Sequence, residues 1–133
     1  MKKQIEQVKE FNKVFGITDV SPMLRFDMIK EELNEYFVAS HKVRIYSLED
    51  GSRKAERVVE PIEQADAIGD MLYLLFGAVI DAGLEDKIES ILDEIHRSNM
   101  SKIEDGVVLR RADGKIQKGK NYFKPNIKAI LNK

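Results

Sequence analysis

Glu31, Glu32 and Glu35 lie within five consecutive residues, and Glu63, Asp66 and Asp70 lie within eight. Carboxylates so spaced are hard oxygen donors. They suit a divalent cation that also meets phosphate oxygens, or proton transfer in an acid–base reaction. Counting acids decides nothing in a chain this charged, but their angular position does. Taking about 100° per residue from Met28, Glu32 falls near about 40°, Glu35 near about 340° and Glu31 near about 300°. Met28, Ile29, Leu33, Tyr36, Phe37 and Ala39 occupy the sector from about 0° to about 180°, so Glu32 sits on the apolar face and Glu35 at its edge. Counted from Glu63, Asp66 and Asp70 share one stripe about 60° wide.

A lone ionised carboxylate on a packed face is costly unless a cation meets it. Two cations are available. One is Arg25, on the same face as Glu32, pairing with Glu32 or Asp70. The other is a divalent ion between two facing helices, with Glu32 and Glu35 from one and Asp66 and Asp70 from the next. One arginine cannot balance four carboxylates. One or two Mg²⁺ ions with a phosphate-bearing ligand can, and Mg²⁺ takes few carboxylates together with water and phosphate oxygens.

These acids require helices to position them. Ile5, Val8, Phe11, Val14 and Phe15 predict a helix from Lys3 to Phe15, stopped by Gly16. Ser21-Pro22 reads as a cap and first helical residue, opening a helix from Met23 to about His41 or somewhat beyond. Pro61 and Gly83 bracket a third helix, with the apolar run Met71–Ile80 marking its second half as buried. Leu84 to about Lys102 predicts a fourth. Tyr46 to Arg57 reads as a polar connection. Beyond Ile103, Asp105-Gly106 and Asp113-Gly114 are turn signals around Val107–Leu109, and Pro125 opens a short helix to Leu131. The expected fold is all-α: one domain over residues 1–133, a bundle of four main helices with a turn-rich, basic C-terminal extension.

Composition narrows the function. The chain has 133 residues, 22 Lys and Arg against 23 Asp and Glu, two His and no Cys. Thiol chemistry, disulfides and cysteine-ligated metals are excluded. A net charge of −1 gives no case for a nucleic-acid polymer. The ten residues Met71–Ile80 are half the length of a membrane span, which needs about 20. Met1–Phe15 carries charges throughout and does not read as a signal peptide, so the expected location is the cytoplasm. In the extension, Lys115, Lys118, Lys120 and Lys124 alternate with Gly114, Gly119 and Tyr122, a flexible basic segment able to neutralise phosphates. Asn99 and Lys102, one turn apart, could bond a base or phosphate, or else Asn99 and Ser98 simply cap the helix. No carboxylate is spaced to orient His96 as a base.

Arg25-x-x-x-Ile29-x-Glu31-Glu32-x-x-Glu35, followed by Asp66-Ala-Ile-Gly-Asp70-Met-Leu-Tyr-Leu-Leu-Phe-Gly77, resembles the MazG-like, phosphoribosyl-ATP pyrophosphohydrolase-like superfamily of all-α nucleoside triphosphate pyrophosphohydrolases. The tail, Glu94-Ile-His96-Arg97-Ser98-Asn99 and Arg110-Arg111-x-Asp113-Gly114-Lys115-x-x-Lys118-Gly119-x-Asn121-Tyr122, is similar to a bacterial and phage branch of it. The resemblance implies Mg²⁺ (or Mn²⁺) on Glu32, Glu35, Asp66 and Asp70, with Glu31 or Glu35 as the catalytic base. It implies substrate contacts from Asn99, Lys102, Lys118 and Asn121, and a homodimer or homotetramer. The implied reaction is hydrolysis between the α- and β-phosphates of a nucleoside triphosphate, giving the monophosphate and pyrophosphate. Phosphoribosyl-ATP, dUTP or dCTP as the specific substrate, and a non-catalytic nucleotide- or metal-binding protein, are the alternatives. One position departs from the family: its ExxD motif would place a glutamate at Ala67, and here the acid stands at Asp66.

Overall fold

In a computed structural model the described residues are 1–132. They form α1 (Lys2–Val14), α2 (Pro22–His41), β1 (Lys42–Ser47), β2 (Arg53–Val58), α3 (Pro61–Asp81), α4 (Ile88–Met100) and α5 (Ile127–Leu131). Two compact units divide the chain after Gly83.

In the first unit α3 is central and packs against both α1 and α2. The Ser21 hydroxyl accepts from the Leu24 amide at 3.2 Å and Pro22 occupies the first turn, so α2 opens as its capping signals require. Gly83 takes φ 63° just past α3, the left-handed conformation that ends a helix most cheaply at glycine. α2 and α3 run antiparallel. Gln64 Nε2 donates to Ser40 Oγ at 2.8 Å and the Glu60 amide to Ala39 O at 2.9 Å at one end. Arg25 meets Asp81 at the other. Ile5, Val8, Ala39 and Ala67 are the buried apolar side chains of this unit.

The all-α expectation is corrected by an antiparallel hairpin between α2 and α3. β1 and β2 pair in register from Lys42 with Val58 to Ser47 with Arg53. The stretch expected to be a polar connection is a turn with a strand on each side. Asp50 accepts from the Ser52 amide at 2.9 Å and its hydroxyl at 2.6 Å, and Gly51 takes φ 83°. Val43 and Ile45 alternate with Arg44 and Tyr46, a period-2 pattern thinned by charge on both strands. The second half of α3 is buried on one side only: Leu72 and Leu75 are exposed.

In the second unit α4 starts at Ile88 rather than Leu84, because Leu84–Lys87 forms a separate turn in which the Lys87 amide donates to Leu84 O at 2.9 Å. Ile91 and Ser98 are buried, and Ser98 Oγ donates to Phe123 O at 2.8 Å. The turn-rich extension holds two isolated antiparallel bridges, Glu104 with Val107 and Arg110 with Ile116. α5 is capped by Asn126, whose Oδ1 accepts from the Ala129 amide. Among the described residues no helix is long and apolar enough to cross a membrane.

Candidate active site

Glu32 sits half-buried on α2 against α3. Its Oε2 is buried and has no hydrogen-bond partner among the described residues. Burial raises the Glu32 pKa above its ordinary value, and the neighbouring charges of Glu35, Asp70, Glu31 and Asp66 raise it further, in that order. The other four acids singled out from the sequence as metal ligands or base therefore all act on Glu32. The four partners are exposed while Glu32 is not, as its angular position required.

The alternative cation is accounted for. Arg25 donates from Nε to Asp81 Oδ2 at 2.8 Å, with side chains 12% and 30% exposed. Its guanidinium lies where a Cβ on Gly77 would stand, so glycine there admits the arginine. Arg25 and Glu32 are two turns apart on α2, as are Gly77 and Asp70 on α3. The ion pair thus fixes the register of the two helices without serving Glu32 or Asp70. Sequence reasoning placed Arg25 on the correct face and missed Asp81, one turn past Gly77. That spacing was the signal available.

The acids open onto two cavities. Glu31, Glu32 and Asp70 line one of about 280 Å³ with Met28, Tyr73 and Leu74. Glu31, Glu35 and Glu63 line another of about 550 Å³ with Lys42 and Glu60, which pair at 2.7 Å. Glu31 borders both; Asp66 borders neither. Among the described residues no three His, Cys, Asp or Glu side chains are gathered into a ready coordination sphere. The donor set is nonetheless all hard oxygen, and Glu32 has a buried oxygen with nothing to bond, so these residues fit a hard divalent cation. Ala67, where the resemblance expects glutamate, is 1% exposed. A carboxylate there would be buried, and this chain carries the acid on the exposed neighbour Asp66.

The other sequence-predicted contacts fall in the second unit. Lys102 Nζ donates to Asn99 Oδ1 at 2.7 Å, so these two satisfy each other. Lys118 stands 4.6 Å from the centre of the Tyr122 ring, a cation–π contact, and Asn121 is exposed beside it. Ser98, the alternative cap, bonds Phe123 instead. Glu94 receives Arg97 at 2.8 and 2.9 Å and the Asn126 amide at 2.7 Å. The Arg97 hydrogen bonds, then the amide, hold its carboxyl down at about 2.

A family model described as phosphoribosyl-ATP pyrophosphohydrolase matches residues 2–99, from α1 almost to the end of α4, and this chain belongs to that family. It is thereby one of the pyrophosphohydrolases, which act on phosphoric anhydrides. No curated protein matches the chain.

Proposed function

We propose that this protein is a Mg²⁺-dependent nucleoside triphosphate pyrophosphohydrolase that cleaves between the α- and β-phosphates and releases the monophosphate and pyrophosphate. One observation carries the reading. Glu32 keeps a buried, unpartnered oxygen among four other carboxylates, while the arginine that could have balanced it is bound to Asp81. Such a group remains charged only if a cation reaches it.

Glu32, Glu35, Asp66 and Asp70 would hold that cation, Mn²⁺ serving in place of Mg²⁺. When bound, it supplies a Lewis acid for phosphoryl oxygens and for water. Glu31 borders both cavities and is the carboxylate best placed to take a proton from the attacking water. Glu35 is the second candidate for that role. Lys118 and Asn121, with Asn99 and Lys102 once their mutual bond opens, are the proposed contacts to substrate.

The proposal includes a homo-oligomer, a dimer or tetramer. Phe26, Leu33 and Phe37 on α2 and Ile68, Leu72 and Leu75 on α3 recur at helical spacing and are all exposed. Large apolar side chains exposed along two neighbouring helices suit a face that another subunit covers.

Phosphorus NMR of the products tests the reaction. Pyrophosphate with a nucleoside monophosphate is expected. Orthophosphate with a diphosphate would place the cleavage at the other anhydride and reject the proposal.

A further inference from the structure

Ser98 is 3% exposed, and its hydroxyl donates to Phe123 O at 2.8 Å. One turn further along α4, Ser101 Oγ accepts from the Phe123 amide at 3.2 Å and donates to Ser98 O at 2.6 Å. Both backbone polar groups of Phe123 are therefore taken by serines at one helix end, and the Arg97 guanidinium covers its ring at 4.3 Å. Just before Phe123, Gly119 to Tyr122 forms a turn closed by the Tyr122 amide on Gly119 O at 3.1 Å. A Cβ on Gly119 would stand 2.5 Å from Glu104 Oε2 and 3.4 Å from Lys102 O, so glycine lets the chain come this close to the residues that follow α4. The Lys120 amide donates to the same Glu104 oxygen at 2.8 Å. The turn that bears Asn121, with Lys118 at its entry, is thus pinned against the stretch that bears Asn99 and Lys102.

The cations of this array have neutral partners. Lys102 is held by the Asn99 amide oxygen and Lys118 by the Tyr122 ring. Among the described residues neither lysine pairs with a carboxylate; Glu104 and Asp105 pair with Lys120 instead. Lysine only donates, so the Asn99 oxygen is spent and Asn99 still offers its NH₂ group. Lys102 Nζ keeps two N–H groups, so an anion can meet it without breaking its bond to Asn99. The array presents ammonium and amide donors, which suit phosphate oxygens better than the mixed edge of a base.

We infer that Ser98 and Ser101 are positioning residues: they clasp the strap at Phe123 so that Lys118 and Asn121 meet the same phosphate chain as Asn99 and Lys102. The inference rests on the pyrophosphohydrolase reading for the substrate. Neither serine touches that substrate. Their bonds order the strap when the protein folds, so the cost of ordering it is not met on binding.

The test separates position from fold. The metal-free, isotope-labelled full chain is titrated with inorganic triphosphate, a phosphate chain without a base, and followed by NMR. The Asn99 and Asn121 side-chain amides should shift together. Ser101→Ala, which removes both bonds of that hydroxyl, should weaken triphosphate about tenfold, with the amide spectrum of residues 1–83 unchanged. Ser101→Thr keeps a hydroxyl and should restore the affinity. Lys118→Gln leaves the clasp intact and should also weaken triphosphate. Adenosine and uridine, which carry no phosphate, should move neither amide. Amides that shift separately or not at all, a nucleoside that moves them both, equal affinity in wild type and either weakened variant, or failure of threonine to rescue would overturn the inference. If turnover is found, Ser101→Ala should raise KM about tenfold and leave kcat little changed, the signature of lost binding contacts. Triphosphate binding of this kind without pyrophosphate release from any substrate would defeat the catalytic reading alone. Release with the same KM in wild type and Ser101→Ala would defeat this inference alone.

Discussion

Arg25 Nε and Asp81 Oδ2 stand 2.8 Å apart across the α2–α3 seam, with the guanidinium resting against Gly77. The pair joins the start of α2 to the end of α3. Glu32 stands seven residues after Arg25 on α2 and Asp70 seven residues before Gly77 on α3, so the contact that fixes the helix register also fixes the spacing of the acids.

This arrangement reverses an ordinary expectation for glycine. Alanine at a helix-interior glycine normally stabilises by about 1 kcal/mol. At Gly69 an added Cβ meets open space, so Gly69→Ala should show that gain. At Gly77 it would collide with the Arg25 guanidinium, forcing the ion pair to move at a cost of about 1–3 kcal/mol. Urea unfolding should therefore find Gly77→Ala about 2 kcal/mol less stable than Gly69→Ala. Equal stabilities would mean that Arg25 yields freely and sets no register.

Much of this was legible beforehand, for identifiable reasons. Ser21-Pro22, Pro61 and Gly83 are local signals whose effect does not depend on the rest of the fold; α2 begins, and α3 begins and ends, where they stand. The half-buried position of Glu32 follows from helical periodicity alone. The hairpin was hidden because charged residues occupy both of its faces, leaving Val43 and Ile45 as a faint alternation. Asp81 as the partner of Arg25 was hidden because Glu32 and Asp70 were equally plausible acids until the helix register was fixed. The exposed side of α3 reads as apolar in sequence whether its neighbour is this chain or another.

Glu32 makes stability depend on pH. Its carboxyl titrates above the ordinary 4.5 because burial and neighbouring acids oppose its charge. Between 4.5 and its folded value the folded state holds a proton that the unfolded state has lost. Stability of the metal-free protein should therefore fall as pH rises through that window, and stay lower above it. Glu32→Gln should flatten this fall and raise the metal-free melting point near neutral pH. Mg²⁺ should stabilise the wild type by linkage, by about 2.7 kcal/mol at a hundred times its Kd, and so raise its melting point while leaving the variant unmoved. Thermal melts with a chelator and with Mg²⁺ check both; equal Mg²⁺ stabilisation of the two proteins would remove Glu32 from the cation's ligands.

Glu94 has the opposite sign. Arg97 and the Asn126 amide hold it at about 2, so its contribution is present above its ordinary 4.5 and is lost as pH falls from 4.5 toward 2. Amide protection factors in α4 and α5 should fall over that interval, and in Glu94→Gln they should show little dependence on pH there. Identical acid profiles for the two proteins would mean that the Arg97 contact is not maintained in solution.

The exposed apolar faces of α2 and α3 should be covered in solution. Sedimentation equilibrium is expected to give at least twice the 15.3 kDa chain mass. Leu72→Asp, a charge placed on a 51% exposed residue of that face, should return the mass to one chain without unfolding it. A wild-type monomer would contradict the proposed assembly.

The most direct test of the carboxylate site is Mg²⁺-dependent pyrophosphate release from a panel of nucleoside triphosphates and phosphoribosyl-ATP, run beside Glu32→Gln and Asp70→Asn. Release from at least one substrate is expected, with each variant reduced by about 10²-fold or more. Wild-type release that survives both substitutions would place the chemistry elsewhere, and no release from any substrate would contradict the activity itself.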